Sequence, residues 1–247
     1  MGDMTSIHGI PVRSEERVLS GSSPVVIVIH GMSTTPEILE EGWPTVDDGL
    51  GRIYWHLPVL REGREASRLR REHDPFRDLF WPVVAEGRAE LRRLMGHLGS
   101  RPVGLFGFSI GGFLSLLGAA DQRRVRAAVS VGGVPNLEYL LESYPDYEWG
   151  APDVVASRNE VNLQDAPDRL VDVPTLILHG AEDDVAEWRW LRPLAEKLSE
   201  ERPESHPYEI LPHLRHRITG LSDAEEEDWR KACAVANRFL LAHLTHR

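Results

Sequence analysis

The chain has 247 residues, 41% of them apolar and 27% charged, which is enough to bury a large core in one soluble domain spanning 1–247. Its formal net charge of −11 argues against a nucleic-acid binder, which needs a basic surface to neutralise phosphates. No apolar run approaches the roughly 18 residues of a membrane span, and the start lacks a signal-peptide pattern, so no membrane partner and a cytoplasmic location are expected. The single cysteine, Cys233, excludes an internal disulfide and falls on an apolar helical stripe, as a packed thiol would.

In chain order, Val25–Ile29 is a continuous β-branched run, the pattern of a strand buried on both faces of a parallel sheet. It ends at His30-Gly31-Met32. A second apolar run covers 53–60. Phe76, Leu79, Phe80, Val83 and Val84, then Leu91, Leu94, Met95 and Leu98, recur at helical steps. The run 103–106 leads into Gly107-Phe108-Ser109-Ile110-Gly111 and then a helix rich in small residues, 112–120. Val125–Val131, 175–178 and Tyr208–Leu211 are three further predicted strands. The last helix opens on a capping box, Ser222 and Glu225, and carries Trp229, Cys233, Ala236, Leu240 and Leu244 on one stripe. Strands alternating with amphipathic helices predict an α/β fold with a doubly wound, mostly parallel sheet.

The segment 134–173 breaks this rhythm. It has no confident strand, several aromatic residues (Tyr139, Tyr144, Tyr147, Trp149) and scattered prolines. It is too long for an ordinary connection and too short for a domain, so it is expected to form a lid or cap inserted between two strands.

Function is concentrated at strand ends. A G-x-S-x-G pentapeptide between a strand and a helix is a nucleophile elbow: the glycines relieve clashes at a sharp turn, and the helix N-terminus offers N–H groups to an oxyanion. A serine hydroxyl needs a base, and the base needs an orienting carboxylate. His179-Gly180-Ala181-Glu182-Asp183-Asp184 follows one strand and Pro212-His213-Leu214-Arg215-His216 follows the next, so acids and histidines arrive at the same sheet edge as Ser109. Asp183 is the expected acid, with Asp184 and Glu182 as rivals, and His216 the expected base, with His213 as its rival. His30 and His179 each precede a glycine at a strand end and are read as buried histidines that shape their turns. No histidine spacing suits a metal, and no cofactor is expected.

These motifs resemble the α/β-hydrolase family, in particular its small esterases related to dienelactone hydrolases and to prolyl-oligopeptidase-type catalytic domains. The resemblance runs from Val25 onward and implies Ser109 as nucleophile, Asp183 as acid, His216 as base, and backbone N–H groups of Met32 and Ile110 as the oxyanion hole. The segment before Val25 is short for the family's leading antiparallel strands, which leaves their presence open. Met32, Phe108, Trp149, Trp188 and Trp190 are candidates for an apolar substrate pocket. The expected reaction is hydrolysis of a small-molecule ester with a small or medium acyl group through an acyl-enzyme. The alternatives are an aminopeptidase, amidase or thioesterase with the same residues, or a binding protein that lacks turnover.

Overall fold

Val25–Ile29 (β3) lies at the centre of the sheet because its side chains are apolar on both faces and all five residues are buried. It pairs in parallel with Gly51–Trp55 (β4) on one side and with Val103–Phe108 (β5) on the other. Val125–Val131 (β6), Thr175–Gly180 (β7) and Tyr208–Leu211 (β8) extend the sheet beyond β5, all in parallel. On the far side Asp3–Ile7 (β1) and Ile10–Ser14 (β2) form an antiparallel hairpin, and β2 runs antiparallel to β4. The strand order is β1-β2-β4-β3-β5-β6-β7-β8. The leading antiparallel pair is therefore present, compressed into twelve residues by a two-residue turn, His8-Gly9, in which both residues take positive φ. This computed structural model describes residues 2–43 and 49–245.

Nine helices are described: Glu16–Ser20 (α1), Pro36–Gly42 (α2), Arg64–His73 (α3), Trp81–His97 (α4), Ile110–Asp121 (α5), Tyr139–Ser143 (α6), Pro152–Glu160 (α7), Trp188–Glu201 (α8) and Asp223–Thr245 (α9). Alternate strand residues feed two cores. Ile27, Ile29, Leu105 and Ile177 face α4, α5 and α8, whose Leu91, Phe113 and Leu194 pack against them. Val26, Val28, Phe106 and Val129 face α2 and α9, meeting Leu39, Trp229, Cys233, Ala236 and Leu240. Burial pushes the Cys233 thiol up to about 12, so this side chain packs as a small hydrophobe. At the start of α9 the Ser222 N–H donates to Glu225 Oε2 at 2.9 Å and Ser222 Oγ accepts from the Glu225 N–H at 3.4 Å, a reciprocal cap.

Two segments depart from the sequence expectation, and a third gains detail. The strand predicted over 53–60 stops at Trp55, because the Leu57 N–H donates to His30 Nε2 (3.1 Å) and Pro58 has no N–H to give a ladder. The helical run predicted from Phe76 begins as a π turn, Pro75–Phe80, before α4. Pro82 cannot donate to the Asp78 carbonyl, which accepts from Arg70 Nη1 instead (3.4 Å). The segment 134–173 contains α6, α7 and a 3₁₀ turn at Pro167–Arg169, and it buries Leu137, Leu140, Val154, Leu163 and Leu170 against the α4/α5 core.

Candidate active site

The chain crosses from β3 to β4 in one direction and resumes with β5 on the other side of β3, so the ends of β3 and β5 flank the point where strand order reverses. Such a point opens a crevice beyond the strands' carboxyl ends. Ser109 stands there, on the turn from β5 into α5, with φ 59° and ψ −124°. A non-glycine residue with this backbone is strained and persists only where its surroundings fix it. They do so closely. A Cβ on Gly107 would lie 1.9 Å from the Gly111 carbonyl oxygen, and one on Gly111 would lie 2.2 Å from that of Ile29. The Ser109 N–H is tied to the Val131 carbonyl at 2.9 Å. The Ile110 N–H, at the first position of α5, has no carbonyl within its own helix to bond and sits at the positive end of the helix dipole.

His216 reaches this serine from the loop after β8. Its Nε2 lies 2.7 Å from Ser109 Oγ and its Nδ1 lies 2.7 Å from Asp183 Oδ2. A carboxylate can only accept, so Nδ1 carries the proton and Nε2 is left to accept from the serine hydroxyl. Asp183, on the loop after β7, is itself held: its Oδ1 accepts from the N–H groups of Val185 (3.1 Å) and Ala186 (2.8 Å). The Asp183 and His216 side chains are 2% and 9% exposed, which keeps water from competing for these bonds. The rivals lie elsewhere. Asp184 is exposed, Glu182 pairs with Arg215, and His213 is exposed with its N–H donated to Asp228.

The two strand-end histidines are buried. His30 Nδ1 donates to the Gly31 carbonyl (2.8 Å) while Nε2 accepts from the Leu57 N–H, a neutral ring locked in one tautomer. Burial lowers its pKa to about 4. His179 Nε2 donates to the Ala186 carbonyl (2.6 Å), tying the two ends of the loop that bears Asp183, and burial lowers its pKa too. The Gly31-Met32 turn closes on the serine: a Cβ at Gly31 would be 3.0 Å from Ser109 Cβ.

A cavity of about 290 Å³ opens over Ser109 and His216. Met32, Phe80, Ile110, Val134, Leu140 and Ala186 give it apolar walls, and Tyr139, Tyr144, Val185 and Arg71 complete them. The sequence-based pocket candidates fare unevenly. Met32 lines the cavity; Phe108 lies beneath it, its buried ring 5.3 Å from that of His216. Trp149 is turned away, packing on Phe76 and Tyr147, while its Nε1 donates to the Tyr144 carbonyl (2.8 Å). Trp188 lies between His179 and Tyr208, and Trp190 stacks under Arg189. None of these three tryptophans lines the cavity. Phe80, expected only as a helix-face residue, and Val185 do line it and were not among the pocket candidates; Val185 is two residues past Asp183 and 57% exposed, an apolar residue left open beside the site. Among the described residues, no three His, Cys, Asp or Glu side chains are grouped to hold a metal.

No protein-family model matches the chain. It is similar to "Putative esterase YitV" of Bacillus subtilis, at 27% identity across 91% of this chain and 95% of that protein. It is also similar to the 2,6-dihydropseudooxynicotine hydrolase of Paenarthrobacter nicotinovorans, at 26% identity across 72% of this chain; the match spans 50% of that protein's length. Among solved structures, its fold is similar to that of TT1662 from Thermus thermophilus (TM-score 0.70, 18% identity, 100% and 99% of the two chains). It is likewise similar to a "Putative Dienelactone Hydrolase" from Klebsiella pneumoniae (0.67, 19%, 100% and 99%). A puromycin-hydrolyzing peptidase of Mycobacterium tuberculosis shares the fold over 100% of this chain and 40% of its own (0.66, 19%).

Proposed function

We propose, from the α/β-hydrolase fold of this chain, that it is a serine hydrolase cleaving a carboxylic ester of a small or medium acyl group. The observation that carries this reading is the unbroken line from Asp183 Oδ2 through the His216 ring to Ser109 Oγ, 2.7 Å at each contact. In this mechanism His216 Nε2 takes the Ser109 proton as Oγ adds to the ester carbonyl. The oxyanion accepts from the Met32 and Ile110 N–H groups. His216 then returns the proton to the departing alkoxide, and an alcohol leaves the acyl-enzyme. Water, deprotonated by the same nitrogen, attacks the acyl carbon; Ser109 recovers its proton and the acid departs. Asp183 holds the imidazole tautomer and stabilises the imidazolium formed in each half.

The cavity's volume and apolar walls suit a short acyl chain, and the name of the Bacillus relative favours an ester. The fold shared with a peptidase supports the amide reading. We also propose that 134–173 acts as the cover of the acyl site, since Val134, Tyr139, Leu140 and Tyr144 supply one wall. The lone buried cysteine fits a reducing, cytoplasmic setting. The reading is tested by labelling with a fluorophosphonate probe, then by turnover of 4-nitrophenyl esters from acetate to decanoate beside aminoacyl 4-nitroanilides. Labelling at Ser109 with ester turnover is expected. Anilide turnover exceeding that of every ester would replace the ester with an amide, and no labelling at Ser109 would overturn the serine mechanism.

A further inference from the structure

A second cavity, of about 430 Å³, adjoins the one over Ser109 and shares Met32, Ser33 and Arg71 with it. Four arginines line it, Arg64, Arg68, Arg71 and Arg217, and no carboxylate does. In a chain of net charge −11 this is a local reversal of sign. Three of the four stand at positions 64, 68 and 71 of α3, four and three residues apart, so one helix face presents all of them. Like charges at such spacing destabilise a helix unless something neutralises them.

Two of the four are neutralised. Arg68 pairs with Glu65 and Glu72, and Arg217 makes two bonds to Glu225, which hold that carboxyl down to about 2. Arg64 and Arg71 have no carboxylate partner among the described residues. Arg71 is the one that reaches both cavities. It stands near the Tyr139 hydroxyl, where burial raises that group's pKa and the Arg71 charge opposes the rise. A guanidinium open to solvent beside a reaction site is matched in shape and charge by a carboxylate or phosphate.

We propose that the substrate bears an oxyanionic group remote from its scissile ester, received by Arg71 and Arg64 in the outer cavity while the carbonyl lies at Ser109. This rests on the serine-hydrolase reading for its chemistry, though not for its binding. The test compares matched pairs at low salt: the 4-nitrophenyl monoester of adipic acid against 4-nitrophenyl hexanoate, and 4-carboxyphenyl and 4-phosphophenyl butyrate against 4-acetylphenyl butyrate. The first pair puts the anion on the acyl side, and the others put it on the leaving group and separate carboxylate from phosphate. In one pair the anionic ester should be preferred at least tenfold in kcat/KM. That ratio should fall at least tenfold in Arg71→Ala, recover in part in Arg71→Lys, and move far less in Arg68→Ala. A ratio unchanged by Arg71→Ala in every pair, or a preference for the neutral ester throughout, overturns the proposal. A binding measurement keeps the two readings separable: calorimetry on Ser109→Ala with monomethyl adipate, phenyl phosphate and methyl hexanoate. Anion binding lost in Ser109→Ala/Arg71→Ala sustains the site even if wild-type protein cleaves no ester. Equal affinity for charged and neutral compounds removes the site whatever the turnover.

Discussion

The Ser109 turn and the 134–173 segment face each other across one cavity and are built by opposite means. At the turn, backbone meets backbone: Gly107 and Gly111 leave no space for a methyl group, and the strained Ser109 has a single set of neighbours. The facing segment is held instead by side-chain ties. Tyr147 Oη donates to Asp74 (2.7 Å), Arg77 forks onto Asp153 (2.6 and 3.0 Å), and Trp149 and Tyr147 pack on Phe76. Placing a nucleophile demands rigid elements whose conformations are over-determined. Shaping a cavity wall needs only contacts that can be exchanged or loosened.

The sharpest contrast is expected in activity. Ser109→Ala and His216→Ala should each lower kcat by about 10⁴ or more, and the double variant should lose little further, because the groups act as one unit. Multiplicative losses in steady-state kinetics would break the assignment. Asp183→Asn should cost about 10²–10⁴ in kcat, since the amide oxygen is claimed by the Val185 and Ala186 N–H groups, which leaves its NH2 to donate to Nδ1 and select the other tautomer; exposed Asp184→Asn should cost less than about threefold. The reverse order would move the acid by one residue.

Stability separates the regions next. Gly111→Ala should destabilise the fold by more than about 4 kcal/mol, or prevent folding, because the backbone on both sides must shift. An alanine at the exposed Gly150, where nothing stands within 4 Å, should cost under about 1 kcal/mol in urea denaturation. Equal costs would mean that the turn yields more readily than its contacts indicate.

The same contrast explains what could be read from residues alone. Val25–Ile29, Val125–Val131 and Tyr208–Leu211 were legible to the residue because apolar runs bounded by turns report burial directly. The elbow was legible because its glycines answer a steric need inside five residues. The leading hairpin was not: β1 exposes four of its five residues, so it lacks an apolar signature, and its tight turn rests on two residues alone, His8 and Gly9. The tryptophans misled for a related reason. Trp149 is aromatic in a segment without a period, and which way it faces depends on Phe76, 73 positions earlier, a contact no local pattern encodes. Phe80 joins the cavity at the end of the π turn Pro75–Phe80, whose widened backbone departs from helical spacing, and Arg71 joins it from α3.

Acid should discriminate the two regions. His30 is buried and neutral with its pKa lowered to about 4, against an ordinary 6.5, so the unfolded chain takes up the proton first. Stability is therefore complete above about pH 6.5 and falls as pH drops toward 4, by up to about 3 kcal/mol from this group. His179 and His206, lowered by burial, add in the same direction. The ties of 134–173 behave differently. Burial works against the Asp74 carboxylate, yet hydrogen bonds from the Arg77 N–H and Tyr147 bring its pKa below the usual range; the Arg77 guanidinium does the same for Asp153. Both stay charged after the histidines begin to protonate. Urea midpoints should fall between pH 7 and 4.5, less so in His30→Gln, and a flat profile would show that these rings do not remain neutral.

The smallest expected effect tests the wall itself. Arg77→Ala removes the fork onto Asp153 and the bonds to Asp74 and the Tyr147 hydroxyl, and Tyr147→Phe removes only the hydroxyl. Arg77 is 36% and Asp153 62% exposed at the side chain, and pairs in such positions contribute little to global stability. Their consequence should be local. Amide exchange across 139–149 should quicken in both variants, more in Arg77→Ala, while β5 and α5 keep their protection. If Tyr139, Leu140 and Tyr144 shape the acyl site, the KM for longer acyl chains should change two- to fivefold with kcat on the acetate ester held. Exchange confined to 152–160 with an unaltered chain-length profile would show that the tie secures α7 alone, and the wall over Ser109 would then owe its place to the buried Leu137 and Leu140.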